Sequence, residues 1–81
     1  MSLDDLRRKI DETDTKIVKL LAERMRIAQE IGKEKDRQGK QVEDKGREKA
    51  VLEKVKGIAR EENISPESME SIYQQIITVS R

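Results

Sequence analysis

The feature that most constrains this chain is its first helix. From Leu3 to Lys35 there is no proline and a single glycine, Gly32. Leu3, Leu6, Ile10, Ile17, Leu20, Leu21, Ala28 and Ile31 recur at three- and four-residue steps, the pattern of one amphipathic helix. The helix is expected from about Leu3 to about Asp36, stopping near Gln38-Gly39-Lys40. At 1.5 Å per residue it is roughly 50 Å long. A compact monomer of 81 residues has no need of such a rod.

Two shorter helices follow. The second starts at Asp44, a good N-cap, and runs to about Glu61 with Val51, Leu52, Val55, Ile58 and Ala59 on its apolar face. The third opens at Ser65-Pro66-Glu67, where serine caps, proline takes the first helical position and glutamate meets the positive helix end. Its stripe is Met69, Ile72, Tyr73, Ile76 and Val79, joined by Ser80. The expected fold is all-α, with three helices forming one domain over residues 1–81. A hydrophobic content of 33% with one aromatic residue is lean for a single-chain core. With no cysteine for disulfides and no histidine for the usual zinc sets, oligomerisation is the stabilising device left. An intertwined homodimer, with two long helices packed on each other, buries the first stripe best.

Composition also narrows function. Lys plus Arg is 18 against 17 for Asp plus Glu, a net charge of +1. Nucleic-acid binders usually carry a basic excess and stacking aromatics, so no nucleic-acid partner is expected. Nothing resembles a signal peptide or membrane span, so a cytosolic protein is expected. No Ser-His-Asp or Cys-His set is possible, and no nucleotide-binding glycine loop is present.

What remains is cationic. Arg24 and Lys35 fall inside the apolar arc of the first helix, and Arg7 lies at its edge. A burial face rejects unpaired cations, each costing several kcal/mol once desolvated. One arginine there reads as a snorkelling side chain, but three on one stripe point to an anion that meets them. Asp14 shares the face and suits a pairing or register role. Asp44-Lys45-Gly46-Arg47-Glu48 offers free N–H groups at a helix start, and Glu48 can accept from a hydroxyl. A pocket of Arg, Lys, Glu and Ser suits anion binding and charge stabilisation.

Leu6-Arg7-Arg8-Lys9-Ile10-Asp11, Leu21-Ala22-Glu23-Arg24, Ile31-Gly32-Lys33-Glu34-Lys35 and Val42-Glu43-Asp44 followed by Arg47-Glu48 resemble the all-helical chorismate mutases, in order and over essentially the whole chain. The resemblance implies an intertwined three-helix homodimer that rearranges chorismate to prephenate without metal or cofactor, on the route to phenylalanine and tyrosine. By position, Arg24 and Arg7 correspond to arginines that grip the substrate carboxylates, Arg7 coming from the second subunit. Lys35 corresponds to the lysine touching a carboxylate and the ether oxygen. Asp44 and Glu48 match positions that hold the ring hydroxyl, Asp44 through its backbone. Arg47 matches a supporting arginine, and Ser80 the serine near a carboxylate. Catalysis would rest on Lys35, Arg24 and Glu48. The family carries a glutamine, sometimes glutamate, four residues beyond that serine, past Arg81. The natural protein is therefore expected to continue, with these residues a truncated chain or a domain cut from a fusion. Two other readings stay open at this level: an isochorismate–pyruvate lyase on the same fold, and a non-catalytic helical dimerisation module.

Overall fold

The computed structural model describes residues 1–39 and 44–80, and they form three α-helices with no strand among them. These are α1 (Leu3–Arg37), α2 (Lys45–Glu61) and α3 (Pro66–Ser80). Val42 and Glu43 of the resembling motif, with Lys40 and Arg81, lie outside the described residues.

Local chemistry sets the boundaries. Ser2 caps α1 in a reciprocal capping box, its hydroxyl accepting from the Asp5 N–H while the Asp5 carboxylate accepts from the Ser2 N–H. Exposed ion pairs one turn apart line its polar side, among them Arg8–Asp5 at 3.5 Å, Lys33–Glu30 at 3.6 Å and Arg37–Glu34 at 3.0 Å. Such pairs add only tenths of a kcal/mol each. The helix ends one residue past the sequence expectation, where Gly39 turns to φ 72°.

The α2–α3 corner is built residue by residue. Asn63 takes φ 59° just after the α2 C-cap. The Ile64 N–H donates to Ala59 O at 2.8 Å and the Asn63 N–H to Arg60 O at 3.3 Å, the paired bonds of a Schellman ending. Ser65 then caps α3, accepting from the Ser68 N–H at 3.2 Å. Across the hairpin, Lys56 reaches both Glu53 on its own helix, at 3.4 Å, and Glu70 on α3, at 3.5 Å.

The core is small. Ala59, 2% exposed, and Ile77, 8% exposed, are the buried hydrophobic residues among those described. α3 packs extensively on α2 and less so on α1, whereas no Cα pair from α1 and α2 approaches within 8 Å among the described residues. α3 is thus the wedge that holds the other two apart. Its buried arc is rotated from the expected stripe: Ile77, absent from that stripe, is buried, while Ile72 and Val79 remain 52% and 61% exposed. The apolar arc of α3 is wider than one pair of neighbours covers, and contact with α2 and α1 selects the Tyr73–Ile77–Ser80 side. On α2 the same selection buries Ala59 and leaves Ile58 exposed.

No residue of α1 is buried. A half-buried track of Leu21, Arg24, Ala28, Gly32 and Lys35 faces the other helices. The stripe before it, including Leu6, Ile10, Ile17 and Leu20, is exposed.

Candidate active site

The separation of α1 from α2 leaves a cleft of about 260 Å³, lined by Arg24, Ile27, Ala28 and Ile31 of α1, Arg47, Glu48 and Val51 of α2, and Ile77 of α3. It is a small apolar-walled slot carrying two guanidinium groups and one carboxylate, the proportions of a compact polar-ligand site.

Arg24 is anchored by α3. Its Nη1 donates to Ser80 Oγ at 3.2 Å, and the Ser80 hydroxyl donates to the Ile76 carbonyl at 2.6 Å. Its guanidinium carbon stands 5.5 Å from the centre of the Tyr73 ring, within cation–π range. Arg24 and Ser80 are both half-buried.

Lys35 is half-buried eleven residues after Arg24. That interval is three turns, so both cations lie on one side of α1, about 16 Å apart along the axis. Lys35 sits one turn past Ile31, beyond the lining of the cleft. Asp44 caps α2, its Oδ1 accepting from the Arg47 N–H at 3.0 Å. The Asp44 carbonyl accepts from the Glu48 N–H at 2.9 Å, so a backbone contact from Asp44 to a ligand falls to its N–H. Arg47 is exposed, while Glu48 is half-buried and also lines a second groove with Leu52, Gln74, Ile77 and Thr78. Arg7 is exposed, seventeen residues or about 25 Å along α1 from Arg24. The structure therefore brings Arg24, Arg47, Glu48 and Ser80 together, sets Lys35 and Asp44 at the margin, and leaves Arg7 outside its own chain's cleft.

Sequence reasoning assigned Tyr73 only to packing. The available signal was its spacing of seven from Ser80, two turns that put both on one face of α3. Among the described residues no three His, Cys, Asp or Glu side chains gather where a metal ion could be held, and no helix is long and apolar enough to cross a membrane.

The model of the type II chorismate mutase family matches residues 6–81, which takes in α2, α3, all of α1 but its first three residues, and every one of these site positions. This chain belongs to that family. A chorismate mutase of Methanocaldococcus jannaschii is 35% identical over 75 residues, covering 93% of this chain and 76% of the relative. A bifunctional chorismate mutase/prephenate dehydratase of Buchnera aphidicola is 35% identical over 79 residues, 98% of this chain and 20% of that protein. The chain thus spans most of one chorismate mutase and a fifth of a larger bifunctional one. No solved structure matches it significantly.

Proposed function

We propose that this protein is a cytosolic chorismate mutase, an isomerase that converts chorismate to prephenate in a site shared between two copies of the chain. The observation that carries the reading is the convergence of Arg24, Arg47 and Glu48, from two helices with no Cα pair within 8 Å among the described residues, on one small cleft in a member of this family.

Chorismate carries two carboxylates and a ring hydroxyl, and its rearrangement is intramolecular. One ether C–O bond breaks as one C–C bond forms, with no nucleophile and no external proton transfer. The protein has two tasks: to hold the compact conformer in which the reacting carbons meet, and to stabilise negative charge growing on the ether oxygen. Arg24 and the partner's Arg7 grip the carboxylates and supply orientation. Lys35 reaches in from the end of the cleft to a carboxylate and the ether oxygen, a contact that strengthens in the transition state. Glu48 accepts from the ring hydroxyl and the Asp44 backbone assists. Arg47 supports the anionic side, and Ser80 stands beside the Arg24-bound carboxylate.

Two facts support the second copy. Arg7 is too far along a straight helix to reach the cleft of its own chain, and the face of α1 around Ile10 and Ile17 is exposed apolar surface. Two α1 helices crossing near their middles cover both faces and carry each Arg7 toward the other's Arg24.

Incubation with chorismate, followed by NMR identification of the product, tests the reading. Prephenate is expected from chorismate, and no pyruvate from isochorismate. Unchanged chorismate, or pyruvate released from isochorismate at the faster rate, would overturn it.

A further inference from the structure

Arginine on a helix surface is long and mobile, and a carboxylate clamp is useful only if its fork is already aimed. In this chain the aiming is done by α3. Two constraints of different kind act on Arg24: the Ser80 hydroxyl takes one N–H of the fork at 3.2 Å, and the Tyr73 ring lies against the guanidinium at 5.5 Å. The first fixes one corner of the group and the second holds its charge over the ring face. Tyr73 and Ser80 lie seven residues apart on α3, within about 20° around the helix, and the bond from Ser80 to Ile76 O locks the hydroxyl between them.

We propose that Tyr73 is a positioning residue: its ring face holds the Arg24 guanidinium at the place from which it meets a substrate carboxylate. The ring does this with its quadrupole, not with its hydroxyl. This inference rests on the carboxylate-gripping role given to Arg24 above. Tyr73 touches no substrate, so its effect reaches the reaction only through Arg24.

The test compares Tyr73→Phe with Tyr73→Leu in the full chain, by steady-state kinetics on chorismate and by the NMR order parameter of the Arg24 Nε–H. Tyr73→Phe keeps the ring and should stay within about twofold of wild type in kcat/KM, with Arg24 as rigid as before. Tyr73→Leu should lower kcat/KM by about 2- to 30-fold, the equivalent of one cation–π contact. The loss should fall mostly in KM, because the carboxylate grip acts in ground and transition states alike, and the Arg24 order parameter should drop. A purely structural role predicts otherwise: fewer folded molecules reduce apparent kcat and leave KM unchanged. Wild-type KM and Arg24 rigidity in Tyr73→Leu would overturn the proposal. If Tyr73→Leu does not fold, 3,4,5-trifluorophenylalanine at position 73 keeps the shape and removes the negative ring face. KM should then rise, and an unchanged KM would overturn the proposal equally. A wild-type protein that does not act on chorismate overturns the mutase reading instead, and the order parameter in the same variants still decides whether Tyr73 holds Arg24.

Discussion

Replacing Ile10 by aspartate should separate the two copies. Ile10 lies on the open stripe of α1 and is 62% exposed in the single chain. Full burial of such a side chain contributes about 1.5–3 kcal/mol, so covering the exposed remainder contributes about 1–2 kcal/mol per copy. Symmetry doubles this, because each interface contains two Ile10 side chains. The substitution thus removes about 2–4 kcal/mol from association, weakening the dimer by about 30- to 700-fold at 1.4 kcal/mol per tenfold. Desolvating two carboxylates adds several kcal/mol more. Sedimentation equilibrium across nanomolar to micromolar concentrations reads the effect directly. Wild type should be a dimer whose unfolding midpoint rises with concentration, and Ile10→Asp should be monomeric or unfolded at the same concentrations. Activity should vanish with the dimer, since each cleft would lose the partner's Arg7. A wild-type chain that is a stable folded monomer, or an Ile10→Asp protein with unchanged association, would refute the reasoning.

Three further outcomes are expected. Mixing inactive Arg7→Ala and Arg24→Ala proteins should regenerate activity, because one of the two clefts in the heterodimer keeps both arginines; no recovery after confirmed subunit exchange would count against shared sites. Lys35→Ala should lower kcat by about 10²–10³, the usual loss for one donor at a developing oxyanion, while Tm holds, and an unchanged kcat would make the lysine structural. Glu67 has its carboxyl held below the ordinary value, chiefly by backbone N–H donation at the start of α3 and then by the Ser65 hydroxyl, with Lys56 and Arg60 adding attraction. A depressed folded-state pKa contributes stability that is full above the ordinary glutamate value of about 4.3 and is lost as pH falls through the lower folded value. Glu67→Gln should therefore flatten the acid limb of the stability curve there and leave its alkaline limb unchanged; an unaltered acid limb would contradict the assignment.

The helices were legible because their signals are local. Periodicity marked α1, Asp44 and Ser65-Pro66 marked the starts of α2 and α3, and Gly39 marked the end of α1 to within a residue or two. Arg24 was legible because charge on an apolar stripe is costly; Lys35, from the same stripe, lies beyond the lining of the cleft, and Arg7 farther still. Rotation was not legible. Whether α3 buries Ile77 or Ile72 depends on how two other helices meet it, and its apolar arc permits either choice. The separation of α1 from α2 is likewise tertiary, since it arises from α3 acting as a wedge, and it makes the cleft. The contact of Tyr73 with Arg24 joins residues forty-nine positions apart, and no spacing within either helix encodes it. Arg7 shows the opposite case: its distance from Arg24 is fixed by helical rise, so the proposal of a second chain rests on spacing and not on packing.

Chorismate consumption by wild type and by Arg24→Ala, each first shown to be a folded dimer, tests most directly whether Arg24, held at this cleft, makes the chain a chorismate mutase. Wild type should form prephenate well above the spontaneous rate, and the rate should fall toward it when the guanidinium is removed. Equal rates for the two proteins, or a wild-type rate no faster than the uncatalysed reaction, would contradict that role.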